Sequence, residues 1–200
     1  MTHFILFGQL PFSHYAHKRL VSIAQNIESM SDVEVLMYKD SFEDLTKKLV
    51  KAFSLLPVDI LFDDKVVDLL NKRSPEGQRC FVEYTLMIKG DPELLSCDPY
   101  SLGYVSLSLP VKVRTNLINF EIDTEHGSHY GATDLPEEAI HKVKQDYETI
   151  KAFITDTLLA LNNESQKFNL QLEELITPML AKKMRTASHY SAIKNKLDFK

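Results

Sequence analysis

The chain has 200 residues, 44% of them apolar and 10% aromatic, which is enough to build a real core and argues against extended disorder. Its 23 basic and 28 acidic residues leave a formal charge of −5, interspersed along most of the sequence, which speaks against a dedicated duplex-DNA binder. Two cysteines, Cys80 and Cys97, make no disulfide framework and show no metal-type spacing, so a soluble protein of a reduced compartment, the cytoplasm, is expected.

His3 to Phe7 is a short apolar run closed by Gly8, too short for a signal-peptide core and expected to be a strand. Ser13 follows Pro11 as an expected helix cap, and Leu20, Ile23, Ala24 and Ile27 recur at helical spacing up to about Met30. Residues 33–38 alternate like a second strand. A second helix follows, capped by Asp40 or Ser41, with a stripe of Phe42, Leu45, Leu49, Ala52, Phe53 and Leu56 that Pro57 ends.

Residues 58–73 can be a buried strand over Ile60-Leu61-Phe62 or the lead into a helix from Asp63, and the helix is the expectation. Pro75 and Gly77 place an internal boundary near 72–79 within a single domain. Beyond it, residues 80–89, 103–109 and 111–122 are β-branched, aromatic or alternating, which predicts a meander of strands. The part from 135 to 200 reads as helical. Asp134, Pro136, Glu137 and Glu138 form a helix start, Ile140 to Leu161 keep an apolar stripe, residues 162–165 interrupt it, and Pro178 falls in the helix after the break. The sum is an α+β fold with a mixed or mainly antiparallel sheet covered by helices and a C-terminal helical segment.

Ser-His-Tyr occurs three times, at Ser13, Ser128 and Ser188, but the flanking sequence does not repeat, so the triplet is no motif. Loop residues Asp123, Glu125, His126 and His129 carry the side chains from which acid/base catalysis is built, and they are the candidate catalytic group. They lack the spacing of a known metal site, so no metal and no cofactor is expected. His14, His17, Lys18 and Arg19, at a strand-to-helix turn, are a candidate anion site without the glycine pattern of a dinucleotide or Walker loop. Tyr100 and Tyr104, flanking Gly103, are candidate partner contacts.

No apolar stretch is long enough to span a membrane, and nucleic acid is left to a minor role for the basic stretch 182–200. The leading functional expectation is a protein-binding module, for example an inhibitor or neutraliser of another protein, without catalysis. The alternative is a hydrolase or phosphate-transforming enzyme that uses the histidines.

Overall fold

The structure is a computed structural model, and it describes residues 2–74, 77–99, 108–125 and 135–197. The expected Asp134 cap and all but the last two residues of the expected strand 103–109 lie outside these segments. In chain order the elements are β1 (Thr2–Ile5), β2 (Leu10–Pro11), α1 (Phe12–Ser29), α2 (Asp32–Met37), α3 (Phe42–Phe53), β3 (Asp59–Ser74), β4 (Gly77–Lys89), a 3-10 turn (Pro92–Ser96), β5 (Cys97–Asp98), β6 (Pro110–Arg114), β7 (Leu117–Asp123) and α4 (Glu137–Leu197). The fold is α+β: a five-stranded antiparallel sheet in the order β1-β6-β7-β4-β3, with N-terminal helices and a long C-terminal helix. A two-residue parallel pair, β2 with β5, stands beside it.

The chain forms two compact units, Met1–Phe12 with Leu56–Asn163 and Ser13–Leu55 with Glu164–Lys200. The first holds the sheet. Because side chains alternate along a strand, Cys80, Val82, Tyr84, Leu86 and Ile88 of β4 all point to one face, as do Ile118, Phe120 and Ile122 of β7 and Val111 and Val113 of β6. The first part of α4 covers that face: Tyr147 stacks on Tyr84 with ring centroids 4.4 Å apart, and Val143, Ile150, Ile154, Leu158 and Leu161 continue the buried stripe. Each of these side chains contributes about 1.5–3 kcal/mol by leaving water.

The second unit is helical. Ile23 and Ile27 of α1, Val35 of α2 and Leu45 and Leu49 of α3 are buried, as are Phe168, Leu172, Ile176, Leu180 and Ala187 of α4. Lys183 closes the end of α1 by donating to the Glu28 carbonyl at 3.2 Å and pairing with Asp32 at 3.5 Å.

Several local expectations are corrected. Residues 33–38, expected as a strand, begin as α2, because Ser31 caps it by accepting from the Glu34 N–H at 3.1 Å and Asp32 and Glu34 favour the positive helix end. Residues 63–73, expected as a helix, belong to β3, which pairs with β4 in register from Val66↔Thr85 to Ser74↔Gly77. The expected boundary at 72–79 spans the closed end of this hairpin. Residues 111–122 are two strands, β6 and β7. The interruption at 162–165 is absent: α4 continues through it, and the Asn162 carboxamide bonds the Val58 backbone. Pro178 lies inside this helix, and Ser13 is the second residue of α1 rather than its cap.

Candidate functional site

β3 is an edge strand with an irregularity between Leu61 and Val66, after which it resumes regular pairing. Alternation sends Val67 and Leu69 toward the α4 side of the sheet, where Lys65 also lies, and α4, seated over β4 and β7, leaves a gap beside them. The result is an open groove of about 640 Å³ between β3 and the start of α4, floored by Val82 and Tyr84 and walled by Ile140, Val143 and Tyr147. Val67, Leu69 and Ile140 remain 48%, 50% and 39% exposed, an apolar strip with Lys65, Lys144 and Glu148 around it.

Tyr147 organises the groove. Its hydroxyl donates to the Phe62 carbonyl at 3.3 Å, its ring stacks on Tyr84, and the Lys65 ammonium lies 5.2 Å from its centroid. Burial, followed by the charges of Tyr84, Glu148 and Asp63, pushes its pKa up to about 12. Tyr84 is also raised, by burial and then by Glu148. Both phenols are therefore neutral at physiological pH, so the floor presents apolar rings.

The opposite sheet face is polar and ion-paired. Burial alone would raise the Glu121 pKa, but hydrogen bonds from Lys72 and Lys112 outweigh it and hold the carboxyl below its ordinary value. Lys112 also pairs with Glu83 at 3.6 Å, and its own pKa is raised, chiefly by the Glu121 hydrogen bond. A shallow cavity of about 670 Å³ lies over this network, with His3 and Phe81 in its wall.

The residues singled out by sequence are placed as follows. Asp123 accepts from Arg79 at 2.9 Å and, through its other oxygen, from the Glu125 N–H at 2.8 Å. Glu125 in turn pairs with Lys142 at 2.5 Å, and that hydrogen bond is the main reason the Lys142 pKa is raised. The structure thus brings these two carboxylates together and gives each a cation. His126 and His129 lie outside the described residues, as do Tyr100 and Tyr104. His14, His17 and Lys18 are exposed on α1, at spacings that put them on neighbouring parts of its surface. Arg19 is half-buried, and its Nε finds no acceptor among the described residues. In the basic C-terminal stretch, Lys182, Arg185, Lys194 and Lys196 are exposed on α4.

Among the described residues no group of three His, Cys, Asp or Glu side chains is placed to hold a metal ion, and no helix is long and apolar enough to cross a membrane. Cys80 and Cys97 are both buried.

Val67 and Leu69 were not singled out as site residues, because a helix over 63–73 would have spent the two leucines and two valines on a core stripe, and Ile140 was counted in the buried stripe of the C-terminal helix. The signal that finds them is the β-branched pair Val66-Val67 in a segment whose apolar residues fall on both faces of a strand. No protein-family model matches the chain, and no significant match is found among curated proteins or solved structures.

Proposed function

We propose that this chain is a protein-binding module, acting as an inhibitor or neutraliser of another protein, and that the groove between β3 and α4 receives an apolar or aromatic side chain of the partner. The carrying observation is that Val67, Leu69 and Ile140 stay exposed over a preformed apolar floor, where a monomer gains nothing by leaving them in water. The charged rim of Lys65, Lys144 and Glu148 supplies orientation, and the two stacked tyrosines supply a rigid contact area with little side-chain entropy to lose. The carboxylates Asp123 and Glu125 are held by Arg79 and Lys142, which favours a bracing role for them over proton transfer.

The test is affinity capture from the source cell followed by mass spectrometry, run in parallel on the wild type, Leu69→Asp, Ile140→Lys and a remote control, Leu170→Asp. A partner that the wild type and the control retain and both groove variants lose supports the reading. Capture that is indifferent to the groove variants overturns it, as does hydrolysis of a generic phosphate ester by the purified chain.

A further inference from the structure

From 63 to 69 every residue of β3 is exposed, as are 71–73, and the outer edge of the strand has no strand beside it among the described residues. A long edge with open backbone groups pairs with other chains unless something opposes it, and here the irregularity between Leu61 and Val66 blocks only one end. Residues 66–74 remain as nine consecutive ladder positions.

Their sequence is self-complementary in one register. In a twofold antiparallel pair, opposed residues sum to a constant and share a sheet face, so one residue must lie opposite its own copy. Centring the pair on Leu70 uses all nine positions, sets Leu70 against Leu70, and sets Asp68 against Lys72 twice, once on each side of the axis. Asp68, Leu70 and Lys72 all point to the face that carries Glu83, Phe81 and Arg79. The neighbouring registers lose this. Centring on Asp68 opposes two carboxylates, and centring on Leu69 puts Asp68 against Leu70 and Lys72 against Val66.

We infer that a second copy of the chain occupies the β3 edge, joining two five-stranded sheets into one continuous antiparallel sheet through residues 66–74 in the register centred on Leu70. The inference is independent of the partner proposed above. Opposite charges at directly opposed positions stabilise a strand pair and like charges destabilise it, so the two Asp68–Lys72 contacts select this register as well as hold it.

The experiment is sedimentation equilibrium of the purified full chain between about 1 and about 100 µM. Wild type is expected to dimerise reversibly in that range. Asp68→Lys alone and Lys72→Asp alone each oppose like charges twice and dissociate at least about tenfold more readily. Mixing these two variants restores both opposed pairs, so the mixture dimerises like the wild type, as does the double swap D68K/K72D in one chain. Because recovery on mixing requires two folded chains, failure to fold is not confused with failure to pair. A wild type that stays monomeric throughout, a dimer indifferent to the single substitutions, or singles that do not recover on mixing would each overturn the inference.

Discussion

Asn162 and Val58 are locked by a pair of reciprocal hydrogen bonds: the Val58 N–H donates to the Asn162 Oδ1 at 2.9 Å, and the Asn162 Nδ2 donates to the Val58 carbonyl at 2.8 Å. A side-chain carboxamide on a helix thus stands in for the next strand of a ladder. Val58 is 1% exposed, so without Asn162 its backbone groups would have no water to turn to. In the helical unit Asn169 makes the same closed pair with Leu55, at 2.8 and 2.9 Å.

Asn162→Ala removes both bonds and leaves a buried donor and acceptor unmet, so it is expected to destabilise by roughly 2–4 kcal/mol. Asn162→Asp keeps the acceptor for the N–H but turns a carboxylate oxygen on the Val58 carbonyl, and should be no better. Asn163→Ala, one residue along on the exposed side, is the control and should stay within about 0.5 kcal/mol. Urea titration followed by circular dichroism measures all three. Equal midpoints for Asn162→Ala and Asn163→Ala would remove the carboxamide from its assigned role.

Gly90 closes the turn after β4 with φ of +87°, and a Cβ added there would lie 1.8 Å from the Pro57 carbonyl oxygen. Backbone must therefore move, and Gly90→Ala is expected to cost about 4 kcal/mol or more, showing as loss of soluble protein or a steep drop in Tm. Gly77 provides the contrast: its φ is +127°, but a Cβ there meets nothing within 4 Å. Gly77→Ala should then cost only backbone strain, about 1–3 kcal/mol. Similar losses at the two sites would refute the close-approach argument.

Glu121 lies between Lys72 and Lys112, which hold its carboxyl below the ordinary 4.5 against the opposing effect of burial. A depressed folded-state pKa means stability that is fully present above the unfolded value and is lost as pH falls through the folded one. The wild type should lose about 1 kcal/mol from this group as pH drops below about 4.5, given that the lysines are partly in water. Glu121→Gln should be less stable at pH 7 by a similar amount and should lack that part of the acid limb. Superimposable pH profiles for the two proteins would count against the ion-pair account.

How far the sequence foretells the structure depends on where each element's partners come from. The strand character of 80–89 and 111–122, though not the turn that divides the latter into β6 and β7, and the helix start at 135–138 are legible because alternation, period and the helix-end charges are local. β3 and α2 are not, for opposite reasons. β3 owes its strand state to pairing with β4, a non-local cause that overrides an apolar spacing a helix could also use. α2 is settled by Ser31 and Glu34, where a Ser-x-x-Glu signal lay under an alternating run whose Val33 and Met37 end 72% and 77% exposed. The uninterrupted α4 was hidden by Asn162, whose poor helix propensity is offset by its two bonds to Val58. Of the candidate site, Asp123 and Glu125 are legible as a charged pair of residues. Their cations Arg79 and Lys142 are not, since β4 and α4 bring them from far along the chain.

Tyr147 joins the groove to the stability of the sheet unit. Its pKa is pushed up to about 12, first by burial and then by neighbouring negative charge, so the folded state keeps the phenol protonated where the unfolded chain, at about 10, does not. For a raised pKa the sign is fixed: its stability contribution is intact below pH 10 and is lost as pH rises from 10 to about 12. Tyr147→Phe keeps the stack on Tyr84 but loses the hydrogen bond to the Phe62 carbonyl, so at pH 7 it should be destabilised by about 1 kcal/mol. Between pH 10 and 12 it should decline less steeply than the wild type, and the two stability curves should converge. Absorbance titration at the phenolate band checks the cause directly, because the substitution should delete a tyrosine titrating near pH 12. Loss of an ordinary tyrosine near pH 10 instead would mean that the groove floor is wet.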